Sequence, residues 1–73
     1  MTDKLQQAIA MSQQDCIAAA ERKLGRSLTE TERGGIMKIG SLTMLESCFQ
    51  SFSSPVATEA RVLAALEHFA KQP

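Results

Sequence analysis

Between Ile36 and Phe52 only Lys38 and Glu46 carry charge, and the large apolar side chains do not gather on one face of a helix. Projected at about 100° per residue, Ile36, Met37 and Met44 point one way, while Leu45, Phe52, Phe49, Leu42 and Ile39 occupy most of the remaining circle. A helix apolar on nearly every side must be covered on more than one side, by neighbours in the chain or by another chain. That demand is hard to meet in 73 residues. A domain of this size buries only about 60% of the surface that its unfolded chain exposes. Ten residues of the 44% hydrophobic fraction are alanine, so the core is thin and a second subunit is an obvious source of more.

Helix signals divide the chain into three. Thr2 can cap a first helix over residues 3–24, which Gly25 stops after Arg22, Lys23 and Leu24 in the last turn. Its apolar stripe is narrow and small-sided: Leu5, Ala8, Ile9, Ser12, Cys16, Ala19 and Ala20, with Gln6, Gln7, Gln13 and Gln14 mostly to the side or rear. Ile17 and Leu24 lie about 100° round from Leu5, where they can touch a third element. Ser27 with Glu30, and Thr29 with Glu32, both satisfy a capping box, so a central helix begins near Thr29 and is expected over 30–52. Gly34 and Gly35 weaken its first turns by about 1 kcal/mol each relative to alanine, and Gly40 offers a place to bend.

Ser54-Pro55 reads as an N-cap followed by proline at the first helical position, which predicts a third helix over 55–71. Val56, Ala60, Val62, Leu63, Leu66, Phe69 and Ala70 form its apolar face, with Arg61, His68 and Gln72 opposite. Short connections make consecutive helices antiparallel. The expected fold is therefore all-α, a single small three-helix domain over residues 1–73 built as an antiparallel helical hairpin plus a third helix, and dimeric.

Eight basic residues balance eight acidic ones, so the whole molecule creates no net field toward nucleic acid or an anionic membrane. The longest uncharged run, Ser47 to Thr58, is serine-rich and far shorter than the ~20 apolar residues a membrane span requires. The glutamine-punctuated start does not resemble a secretory signal, and the expected location is cytoplasmic. Local charge is uneven: Arg22, Lys23, Arg26 and Arg33 gather around the first interhelical corner and are the candidate phosphate contacts.

Catalytic motifs are missing: there is no glycine-rich phosphate loop, no H-E-x-x-H, no G-x-S-x-G and no Cys-x-x-Cys. No enzyme activity, cofactor or metal site is expected. His68, the only histidine, reads as a solvated residue in a last helical turn, where a partial positive charge suits the helix dipole. Cys16 and Cys48 would be separated by about 15 Å in an antiparallel hairpin turning near residue 27, beyond disulfide reach unless a sharp break at Gly40 brings them together. They read as small buried hydrophobes ahead of an intersubunit or regulatory thiol, and Met37 and Met44 as core gap fillers ahead of an adaptable binding stripe. A helix-turn-helix around Ile36 to Phe49 fails on its residues, since the recognition segment Met44 to Gln50 has no lysine or arginine and places Glu46 where a buried aliphatic belongs.

One surface remains. Lys38, Leu42, Glu46 and Phe49 follow i, i+4, i+8, i+11 spacing and share one side of the expected central helix. Two charges among two large apolar groups suit an interface better than a deep core. The functional expectation is a small helical protein–protein interaction module, an adaptor, chaperone-like subunit or inhibitor that binds another protein or a second copy of itself. A small nucleic-acid-binding accessory protein or transcriptional regulator is the alternative.

Overall fold

A computed structural model describes residues 3–71, and among them the chain forms four α-helices rather than three: α1 Asp3–Leu24, α2 Glu30–Met37, α3 Leu42–Ser53 and α4 Glu59–Ala70. Thr2, the expected cap of α1, and Gln72 lie outside the described residues. α1 closes at Gly25, whose φ of +69° is the left-handed conformation that glycine reaches at no steric cost. α2 opens with the Thr29 capping box complete: Thr29 Oγ1 accepts from the Glu32 N–H at 3.2 Å, and a Glu32 carboxylate oxygen accepts from the Thr29 N–H at 2.9 Å.

The continuous central helix over 30–52 does not form. α2 stops at Met37, Lys38 caps it, and α3 starts afresh with Ser41 as N-cap, its Oγ accepting from the Met44 N–H at 3.4 Å. Gly40 does not adopt a positive φ, so glycine freedom is not what breaks the helix. The break is held by Gln13, which was expected at the side or rear of α1 and is instead buried at 7% exposure. Its Nε2 donates to Met37 O at 3.1 Å and to Ile39 O at 3.0 Å, two carbonyls that a continuous helix would have satisfied by itself.

The reversal sets the direction of everything after it. Along α1, Glu21 meets Leu28 and Arg33 while Gln13 meets Met37, so α2 runs back antiparallel. Cys16 then meets Leu45, and Lys23 meets Ser54, so α3 runs parallel to α1 and packs along its second half. Small residues at Cys16, Ala19 and Ala20, all buried, allow the helices to come close. α1 is about 33 Å long at 1.5 Å per residue, and its first turns project past the start of α3, giving the molecule its 39 Å long dimension.

α4 also departs from expectation. Ser54–Pro55 starts a turn and not a helix: the Ala57 N–H donates to Ser54 O at 3.0 Å, with Pro55 at the second turn position its fixed φ suits. The helix waits for Thr58, whose Oγ1 accepts from the Arg61 N–H at 3.2 Å. Val56, assigned to the apolar face, is consequently exposed, and so are Ala60 and Leu63. Val62 and Leu66 do enter the core, where Ile36, Leu45 and Leu66 are wholly buried together with Phe52 and Ile39. α4 lies directly on α2 at Gly35, where an added Cβ would sit 2.8 Å from the Ala70 backbone nitrogen and 3.0 Å from the Phe69 carbonyl carbon.

Two expectations follow. Gln13→Leu leaves the Met37 and Ile39 carbonyls without a donor, at roughly 1–3 kcal/mol for each buried group, and should lower the urea-unfolding free energy by about 2–4 kcal/mol. The adjacent glycines should separate in sign: Gly34 has open space where a Cβ would go, so Gly34→Ala stabilises by about 0.5–1 kcal/mol. Gly35→Ala forces α4 off α2 and destabilises by roughly 1–3 kcal/mol in the same titration.

Candidate functional site

α1 and α3 meet at Cys16, whose Sγ donates to Leu45 O at 3.1 Å. Burial, joined by the negative charges that Cys48 and Asp15 can carry and opposed by the Phe49 backbone N–H, pushes this thiol up to about 11. Cys48 is raised by burial as well, and both cysteines are free. The wide separation expected of the two was an artefact of the continuous hairpin. The chain breaks beside Gly40, and Cys16 contacts the turn of α3 that carries Cys48.

Beside this contact lies a cleft of about 310 Å³, lined by Ser12 and Asp15 from α1 and by Leu45, Glu46, Phe49 and Gln50 from α3. Its floor is the buried Leu45, and Phe49 keeps 36% of its surface exposed at the edge. Asp15 and Glu46 stand on opposite walls, and neither has an ion-pair partner among the described residues.

The expected interface quartet is divided. Glu46 and Phe49 line this cleft, and Leu42, one turn before Glu46, is half-buried. Lys38 is not on the same helix; it caps α2 and lines a second cleft of about 340 Å³ with Gly35, Ile39, Gly40, Met44, His68 and Phe69. The i, i+4 spacing carried Lys38 onto the face of Glu46 only as long as the helix was continuous. Met37 and Met44, read as core fillers, are 47% and 51% exposed, because the break turns both outward. His68 is exposed in the last turn of α4, edge-on to Phe69 with ring centroids 6.0 Å apart.

The four candidate phosphate contacts do gather at the α1–α2 corner, but three of them hold the fold. Arg26 makes a two-pronged pair with Glu32 at 2.9 and 3.0 Å, lowering that carboxyl to about 2 together with the Thr29 N–H. Arg33 lies 3.6 Å from Glu21, and Lys23 Nζ donates to Ser54 O at 3.0 Å. Arg22 has no such partner among the described residues and lines a cleft of about 320 Å³ with Ala19, Lys23, Phe52 and Ser53. A helix–break–helix does exist in α2 and α3, yet the only charge on α3 is Glu46.

No known protein family, curated protein or solved structure matches the chain. Among the described residues no three His, Cys, Asp or Glu side chains converge as a metal set, and no helix is long and apolar enough to cross a membrane. Sequence reasoning missed Asp15 as a site residue. It stands next to Cys16 at the margin of the apolar stripe, where a carboxylate reads as ordinary surface until α3 is known to run alongside.

The thiol gives a pH expectation. Cys16 stays neutral in the fold up to about pH 11, whereas an unfolded thiol ionises near 9.0, so stability held below pH 9 is lost as the pH rises from 9 to 11. Urea midpoints of the native chain should fall across that interval more steeply than those of Cys16→Ala; equal slopes would show that Cys16 ionises as freely in the fold as outside it.

Proposed function

We propose that the chain is a small helical protein–protein interaction module, an adaptor, chaperone-like subunit or inhibitor that modulates a partner by occupying its surface through the α1–α3 cleft. The observation that carries this reading is the half-open Phe49 over Leu45, framed by the Asp15 and Glu46 carboxylates. An aromatic side chain partly out of water beside a leucine floor supplies apolar area at small entropic cost, the makeup of a binding hot spot. The two carboxylates add selectivity for a partner that brings a cation beside an apolar group.

The cleft is built on two helices locked together at Cys16 and Leu45, so its walls need little ordering on binding. Its lining suits contact more than chemistry, since the carboxylates stand on separate helices and neither a histidine nor a cysteine lines the cleft with them. The positive corner supports a nucleic-acid reading less well, because Lys23, Arg26 and Arg33 are engaged within the fold.

Capture of partners from native extract should be lost with Phe49→Lys and with Glu46→Lys while helicity by far-ultraviolet circular dichroism is unchanged. Arg61→Glu, on the exposed outer face of α4, should capture as the native chain does. Capture that survives both cleft substitutions would sink this reading.

A further inference from the structure

The overhanging start of α1 carries the cation that the cleft lacks and apolar groups to set against its Phe49. Lys4, Ala8, Met11 and Asp15 follow i, i+4, i+7, i+11 spacing and form one stripe on the outer face of α1, next to the side that packs on α3. Met11 is 68% exposed and Leu5, just to the α3 side of the stripe, is 57% exposed. Lys4 at one end of the stripe has no ion-pair partner among the described residues, and neither has Asp15 at the other.

This stripe is complementary to itself. When a second copy is laid antiparallel, with a twofold axis passing between Ile9 and Ala10, Lys4 falls opposite the partner's Asp15, and Asp15 opposite the partner's Lys4. Ala8 and the partner's Met11 meet on either side of the axis, the small side chain making room for the long one. The axis preserves the side on which α3 lies, so Leu5 of each copy is carried to the height of the partner's Gln14 and towards the partner's Phe49. We propose that the occupant of the α1–α3 cleft is the α1 tip of a second copy of this chain, with Leu5 against the partner's Phe49 and Lys4 between the partner's Asp15 and Glu46.

The argument rests on charge complementarity and on reciprocity. A twofold interface requires that each contact occur twice, and a stripe with a cation and a carboxylate at equal distances from its midpoint, and apolar groups between them, meets that requirement. The pairing also covers Met11 and Leu5, two of the most exposed large apolar side chains. It deepens the interaction-module reading, and rests on it, by naming the chemistry of the partner.

Light scattering and sedimentation equilibrium on the whole chain test the pairing. The native chain should dimerise; Lys4→Glu and Asp15→Lys should each weaken self-association roughly tenfold or more, because every reversal acts at both symmetric contacts. An equimolar mixture of the two variants should form a heterodimer stronger than either variant's homodimer, since Glu at position 4 then meets Lys at position 15, and weaker than the native pair, since that Glu also faces the partner's Glu46. Met11→Glu, placing two carboxylates beside the axis, should leave a helical monomer. A native chain that stays monomeric up to about 1 mM, or a dimer indifferent to the charge reversals, overturns this pairing. In either case capture that is still lost with Phe49→Lys leaves the cleft with a foreign occupant, whereas capture indifferent to that substitution removes the cleft reading itself.

Discussion

The Gln13 amide, donating at once to Met37 O and Ile39 O, is the contact on which the rest of the fold depends. Where a helix stops, its last carbonyls lose their intrahelical donors, and a chain that reverses inside a core cannot give them water instead. A single side chain from α1 supplies both hydrogens. Because it does so at the point where α2 turns into α3, the direction of α3, its pairing with α1 and the position of α4 follow from it. Lys23 reaching Ser54 O does a related service at the far end, tying α1 to the exit of α3.

The break also explains the feature that made residues 36–52 hard to place. Their apolar side chains fill a whole circle only when drawn on one continuous helix. Drawn on two, the pattern becomes ordinary: Ile36 and Ile39 face the core from the end of α2, and Leu45 and Phe52 face it from α3, while Met37, Met44 and Phe49 face outward. An all-round apolar helix of 23 residues in so small a domain is thus a sign of two helices approaching one core from different sides. The demand for an external cover, as it stood in the continuous drawing, is reduced to the narrower one made by Met37, Met44 and Phe49.

Local signals with a dedicated partner were readable. The limits of α1, the left-handed Gly25 and the reciprocal pair Thr29 and Glu32 each involve groups within a few residues of each other, so the sequence contains both halves of the interaction. What could not be read depends on contacts across 24 residues or more: Gln13 with Met37, Cys16 with Leu45, Lys23 with Ser54. Gln13 looked like one more solvated glutamine among four because nothing nearby shows that its donors are needed. Ser54–Pro55 failed for a different reason. The dipeptide suits a turn as well as a helix start, and only the need to bring Val62 and Leu66 over Ile36 selects Thr58 as the cap. Of the candidate site, Glu46 and Phe49 were legible as residues sharing one side of a helix; Asp15 was not, since it reaches them only through the parallel course of α1 and α3.

Fold and candidate site are consequently not separable in this chain. Asp15 is neighbour to Cys16, and Phe49 lies one turn beyond Leu45, so the cleft is the continuation of the contact in which the Cys16 thiol meets the Leu45 carbonyl. That contact exists only because α3 runs parallel to α1, and α3 runs parallel only because the reversal at Lys38–Ser41 is satisfied by Gln13. In larger domains a core holds the scaffold and loops carry the binding groups. Here a core too small for that division uses the same helix pair as scaffold and as walls of the cleft, and a surface built this way changes shape whenever the helices shift. Substitutions that leave Phe49 and Glu46 untouched but move α3 along α1 therefore reshape the cleft as surely as changes in its lining.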